Sequence, residues 1–225
     1  MKIIQLVYHN SFVEKVVPTL VSCLKRELKD CSSVLDIGCG PDSPLKHCLN
    51  IEYSVGVEPF DRYLKESKKK KIHSRYIKNV VQGLNYKENS FDAVILIDVI
   101  EHTTEADGLK LLNDARKWAK KKIIVTTPNG FVSQNAVDGN IFQKHLSGWT
   151  AKRMKSLGFE CWGLAGLKLL RSEKDSDTMD DDLLVSIRFK PKPLWFMVSV
   201  ISQVFTYRIP KLAFGLFCVK DLAKK

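Results

Sequence analysis

The 225-residue sequence predicts an α/β fold: a doubly wound, mainly parallel seven-stranded sheet with helices on both faces and an antiparallel last strand. Two observations carry that prediction. Short β-rich runs alternate with helical, lysine-bearing segments from residue 33 to residue 128, the order of a parallel sheet with crossover helices. The first of those runs, Val34-Leu35-Asp36-Ile37, feeds straight into a tight turn, Gly38-Cys39-Gly40.

The elements follow in order. Phe12, Val16, Leu20, Leu24 and Leu28 recur at four-residue steps, which predicts an amphipathic helix over 11–29. After the strand at 33–37 come a short helix near 43–49, a strand at 53–58, a basic helix near 60–71 and a third strand at 75–81. A turn then leads to a buried strand at 91–98, a helix over 105–120 and a fifth strand at 122–128. Beyond Pro128 the pattern changes to a polar loop, a short helix from Trp149 ended by Gly158, and a sixth strand in "FECWGLAGL". An acidic loop over 172–182, an apolar helix from Leu194 to Tyr207 and a last strand after Pro210 complete the chain. No internal repeat is visible.

A hydrophobic fraction of 44% and a charged fraction of 27% are those of an ordinary globular chain and exclude disordered, collagen-like and mucin-like classes. The net charge of +11 points toward nucleic acid, anionic membrane or acidic ligands, or simply to lysine-covered helix faces. No RNA-binding signature accompanies the lysines, so nucleic acid is not the expected partner. Six cysteines without C-x-x-C spacing, and an N-terminal apolar run too short for a signal peptide, predict reduced thiols and a cytoplasmic protein. The fourteen-residue apolar window at 194–207 is shorter than the roughly 20 residues that span a bilayer.

A glycine turn after the first strand lets backbone N–H groups approach a nucleotide-like ligand. A NAD site would place a third glycine where this chain has Ser43. Asp36, two residues before the first glycine, suits a cationic ligand better than a polyanionic one. Glu58, at the end of the second strand, can accept from both hydroxyls of a ribose.

The stretches "VLDIGCG", "GVEP", "NSFDAVILIDVIEH", "VTTPNG" and "HLSGWTAKRMKSLGF" resemble the class I S-adenosylmethionine-dependent methyltransferases, most of all the branch of the ubiquinone-biosynthesis O-methyltransferases. The resemblance covers residues 30 to 170. It implies S-adenosyl-L-methionine as cofactor, held at its methionine and ribose portions by Asp36, Gly38 and Gly40 with Cys39 between them. It further implies Glu58 on the ribose hydroxyls and Asp98 facing the methionine moiety. The acidic residue that the family carries for the adenine falls on Val80 here, so Asn79 or backbone at Val80 would substitute. The chain then reads as a single domain, 1–225: an N-terminal helix (1–30), a cofactor-binding core (31–170) and a C-terminal part (171–225).

His102 and His145 are the candidate general bases, needed if the acceptor must lose a proton. His102 could equally cap the next helix, and Trp149 could simply anchor the helix it opens. Asp98, Glu101 and His102 lack a fourth ligand, so no metal is expected. The apolar helix carries a polar stripe, Ser199, Ser202, Gln203 and Thr206, with Lys190, Lys192, Arg208 and Lys211 around it. It would close over the acceptor pocket as a lid, dock on a partner subunit or, through residues 190–211, touch an anionic membrane. The expected activity is methyl transfer to a small-molecule or lipid-like acceptor. The alternatives are a catalytically silent cofactor-binding protein and a nucleic-acid methyltransferase, the latter disfavoured by the absence of an Asn/Asp-Pro-Pro-Tyr motif.

Overall fold

In the computed structural model, which describes residues 17–137, 139–171 and 186–223, seven strands form one sheet. They are β1 (Ser33–Ile37), β2 (Tyr53–Val57), β3 (Arg75–Ile77), β4 (Phe91–Ile97), β5 (Ala119–Pro128), β6 (Glu160–Leu167) and β7 (Ala213–Asp221). Their order is β3-β2-β1-β4-β5-β7-β6, and only β7 runs antiparallel to its neighbours. Among the described residues five helices accompany them: α1 (Leu20–Glu27), α2 (Asp61–Lys70), α3 (Glu105–Trp118), α4 (Ala151–Ser156) and α5 (Lys192–Thr206).

Strand alternation sorts the apolar side chains into two cores. Leu35, Ile37, Val94, Leu96, Ile123 and Val125 point to one face, where Leu111, Leu112, Ala115 and Trp118 of α3 and Met154 of α4 cover them. Val34, Ala93, Ile95 and Ile124 point to the other, against Cys23, Leu24 and Leu28 around α1. Each fully buried aliphatic side chain stabilises this sandwich by about 1.5–3 kcal/mol. The helices start on side-chain caps: Thr19 and Ser22 cap each other's backbone N–H, Thr104 accepts from Asp107 N and Thr150 from Arg153 N. β1 lies between β2 and β4, so the chain leaves it in opposite directions and a crevice opens at the carboxyl ends of these strands.

Several boundaries differ from the sequence expectation. The helix expected near 43–49 is a 3₁₀ turn, Pro44–His47, because Pro44 and the Ser43 cap support only one tight turn. The third strand stops at Ile77 rather than 81; the Asn79 side chain there closes a turn on Val80 N and Gly83 O. The fifth strand begins at Ala119, directly from α3. The helix expected over 11–29 is described from Leu20 to Glu27, and residues 11–16 and the acidic loop 172–182 lie outside the described residues.

The largest difference concerns α5. The polar stripe is the buried face, with Ser199, Ser202, Gln203 and Thr206 all below a tenth exposed. Leu194, Met197, Ile201, Val204 and Phe205 face outward, Phe205 at 69% exposure. The reason lies in β6, whose pairing with β7 slips between Leu164 and Leu167. Ala165 and Gly166 take positive φ there, leaving backbone groups without ladder partners. Gln203 Oε1 accepts from Gly166 N (2.7 Å), Ser202 Oγ from Leu167 N (3.0 Å), and Gln203 Nε2 donates to Gly163 O (2.9 Å) and Pro18 O (3.1 Å). The stripe repairs a broken strand, a demand that outranks apolar burial. The apolar side chains of α5 therefore do not close over the pocket; Gln203 is the residue of this helix that lines it.

Candidate active site

The turn after β1 is built as its glycines require. Gly38 and Gly40 have φ of 69° and 57°, and a side chain on Gly38 would collide with Val99. Gly38 N and Cys39 N donate to Val57 O, pinning the turn to β2. Gly40 N donates to Glu58 Oε2 at 3.0 Å, and Phe60 N donates to Glu58 Oε1 at 2.9 Å. Each carboxylate oxygen thus keeps a lone pair for a ligand hydroxyl while the backbone fixes its direction. Burial pushes the Glu58 carboxyl up, and the two N–H groups oppose that shift.

Asp36 is a strand residue, fully buried between Gly56 of β2 and Ile95 of β4. Its Oδ2 accepts from Ser43 Oγ at 2.5 Å and lies 3.4 Å from Nε2 of the buried His73. Burial pushes its pKa up to about 7; the Ser43 hydrogen bond lowers it and the Glu58 charge raises it further. Burial takes the His73 imidazole down to about 4. Cys39 is buried in the turn, which raises its thiol far above the ordinary range and leaves it unreactive. Sequence reasoning missed His73, a lone histidine in a connection, because only the fold carries it behind Asp36. Ser43 was noticed only as an absent glycine.

Asn79 and Val80 line the crevice beyond Glu58, joined by Val81 and Gln82. The Asn79 amide is engaged in its own turn, so the ligand-facing surface there is largely backbone and apolar. Asp98 follows β4 in the left-handed region (φ 53°), a conformation that Asp tolerates and that turns its side chain toward the cavity. Thr126 of β5 holds it, donating to Asp98 Oδ1 at 2.8 Å while Asp98 N donates back to Thr126 Oγ1.

The turn Ile100–His102 follows at once, and a long-range latch completes the site. Leu146 N and Ser147 N both donate to Glu101 O, drawing the loop after β5 onto this turn. The latch sets the His145 ring 4.7 Å from the His102 ring. His145 Nδ1 lies 2.6 Å from Val132 O and His102 Nδ1 3.3 Å from Lys144 O. A carbonyl only accepts, so both Nδ1 atoms carry the proton and both Nε2 atoms present lone pairs. Burial lowers both imidazoles, His102 to about 4 with the His145 charge adding to the shift. Glu101 is buried and its carboxyl is raised well above the usual range by burial and by Asp98. Trp149 is fully buried and donates to Ser147 Oγ, anchoring the latch.

All of these groups line one cavity of about 1260 Å³: Asp36, Gly38, Cys39, Gly40, Glu58, Asn79 and Val80 on one side, Asp98, Glu101, His102 and His145 on the other. A typical small-molecule site holds roughly 300–1,000 Å³, so there is room for two ligands side by side.

The seven-stranded sheet, its strand order and the cavity at the carboxyl edge are those of the Rossmann-like methyltransferase fold. Residues 35–125 match the family model described as a methyltransferase domain. An uncharacterized protein of Methanocaldococcus jannaschii is 30% identical over 144 residues, 61% of each chain, so this chain spans about three-fifths of that relative's length. A methyltransferase from Archaeoglobus fulgidus, described as S-adenosylmethionine-dependent, shares the fold at 18% identity and a TM-score of 0.52, over 95% of this chain and 99% of that one. The small RNA methyltransferase HEN1 shares it at 14% identity and a TM-score of 0.55, over 91% of this chain and 26% of that one.

Proposed function

We propose that this protein transfers a methyl group from S-adenosylmethionine to a small-molecule or lipid-like acceptor. The observation that carries the reading is the single cavity in which a turn suited to a cationic nucleoside faces two proton-accepting imidazoles. In this reading Glu58 takes the ribose hydroxyls and Asp36, through Ser43 and the turn, shapes the seat of the methionine portion. Asn79 and Val80 border the adenine, and Asp98 faces the methionine ammonium. The acceptor atom attacks the sulfonium methyl in line as the carbon–sulfur bond breaks. Its electrons return to sulfur, and S-adenosylhomocysteine leaves as a neutral thioether. The leaving group is already activated, so orientation supplies much of the rate. An acceptor hydroxyl must also lose its proton, which His102 or His145 takes at the bare Nε2.

The likeness to ubiquinone-biosynthesis O-methyltransferases supports an oxygen nucleophile on a hydrophobic body. The outward apolar face of α5 supports peripheral contact with an anionic membrane through residues 190–211, where Lys190, Arg208 and Lys211 are exposed beside it. No helix among the described residues is long and apolar enough to cross a membrane. Six free, buried cysteines support a cytoplasmic setting.

The test combines labelled S-adenosylmethionine with cell extract, followed by mass spectrometry for species that gain one methylene. A methylated small or lipid product is expected, and Glu58→Ala should abolish both cofactor binding and product while circular dichroism stays native. Cofactor binding with no product would favour the silent binder, label confined to nucleic acid would favour the nucleic-acid enzyme, and full affinity in Glu58→Ala would break the reading.

A further inference from the structure

Two thiols outside the candidate active site face each other across the last pair of strands. Cys161 of β6 stands directly opposite Cys218 of β7 in the antiparallel ladder. Both side chains belong to the core face that Ala151 and Met154 of α4 cover. The Cys218 thiol donates to Cys161 Sγ at 3.3 Å. Facing Cα atoms of an antiparallel pair are about 4.5–5.5 Å apart, inside the window of about 4.4–6.8 Å that a disulfide spans. The ladder therefore holds the two sulfurs where a bond can form with little backbone movement.

All six cysteines are free and buried, yet they are not alike. Burial raises the thiols of Cys23, Cys31, Cys39 and Cys48. Cys161 shifts the other way: the hydrogen bond from Cys218 lowers it, burial opposes that shift, and the Lys155 charge lowers it further. Thiolate character, which makes a sulfur nucleophilic, thus concentrates on Cys161. Cys161 is also the more reachable of the pair, at 8% exposure against none for Cys218, and it lies on the last strand of the sheet. Cys218 sits behind it, placed to resolve whatever forms there.

We propose that Cys161 and Cys218 are an oxidation site, at which a hydroperoxide joins them as a disulfide that clamps β6 onto β7. With hydrogen peroxide, the Cys161 thiolate attacks one oxygen, the O–O bond breaks and hydroxide leaves, giving a sulfenic acid. The Cys218 sulfur then attacks the Cys161 sulfur, and the S–O bond breaks. The departing oxygen takes the Cys218 proton and leaves as water. In sum two thiols lose two hydrogens, and one hydrogen peroxide becomes two waters. The bond spans 57 positions of the chain, and cross-links that close long loops stabilise most. β6 is the element that gains, because its ladder with β7 slips between Leu164 and Leu167 and it has no second strand neighbour among the described residues. The proposal is independent of the methyl acceptor.

The test adds a small excess of hydrogen peroxide to the folded, reduced full chain, alkylates the remaining thiols after denaturation and maps the peptides by mass spectrometry. The expected result is a loss of two hydrogens, four of the six cysteines alkylated, and one peptide pair joined through Cys161 and Cys218. The Tm of the linked chain should rise by about 5 °C or more, and dithiothreitol should reverse the rise. Cys218→Ala should leave the sulfenic acid on Cys161, trapped as a dimedone adduct, with no rise in Tm. Six alkylated cysteines after treatment, a link through other cysteines, or an unchanged Tm in the linked chain would overturn the site. Should Cys218→Ala not fold, the peptide map of the unaltered chain decides alone.

Discussion

Asp36 and His73 show how burial turns two ordinary titrating groups into opposed pH sensors. Asp36 carries a folded pKa of about 7 against 3.8 unfolded, so its contribution to stability is fully present below pH 3.8 and is lost as pH rises toward 7. His73 carries about 4 against 6.5, so its contribution is present above pH 6.5 and is lost as pH falls toward 4. Between pH 4 and 6.5 the two slopes cancel. Asp36→Asn should therefore uncover a stability that rises with pH across that window. His73→Gln should uncover one that falls from pH 4 to 7. Urea midpoints at half-unit pH steps measure both, and parallel profiles for the two variants would contradict the pairing. Asp36 was legible in the sequence as the strand-end carboxylate beside a glycine turn. The partner that governs its protonation was not, since nothing local marks a histidine 37 positions later.

At the scale of elements, α5 separates what a pattern states from what packing decides. Its residues specify an amphipathic helix, yet the pattern is silent on which side meets the protein. Gln203→Leu should remove hydrogen bonds to Gly163, Gly166 and Pro18 and leave two buried backbone groups and one half-buried carbonyl unpaired. At about 1–3 kcal/mol for each unsatisfied group, partly relieved by relaxation, a loss of about 3 kcal/mol is expected in chemical denaturation. A loss below about 1 kcal/mol would mean that β6 does not depend on the helix. The opposite face is tested separately. Replacing the exposed Ile201 and Phe205 with glutamate should change stability by no more than about 0.5 kcal/mol for each site. The same pair should abolish co-sedimentation with anionic vesicles at low salt. Unchanged sedimentation, or none by the original chain, would remove the membrane contact.

Over the whole molecule, the two halves of the cavity come from distant parts of the chain and meet only through the sheet. The turn after β1 and Glu58 come from residues 36–58, whereas His145 arrives through the latch on Glu101. A ligand seated on the first half should stabilise the entire fold, because it binds only the native arrangement. S-adenosylhomocysteine at a hundred times its dissociation constant is expected to add about 2.7 kcal/mol. NAD at the same concentration should add nothing measurable, because Ser43 stands where its third glycine would be. Equal thermal shifts from the two ligands would sink the assignment of the turn.

The sequence by itself determined the layered sheet, its alternating elements, the glycine turn and the acidic strand ends. These depend on periodicity and on residues adjacent in the chain, which local physics reads directly. It also named both histidines, Trp149 and the apolar helix, though without their roles. Tertiary structure alone decided that His145 sits against His102, that His73 backs Asp36, and that α5 turns its polar stripe inward. The first and last of those outcomes satisfy backbone groups belonging to a distant segment. Such a need comes into being only when the chain has folded and water has been excluded.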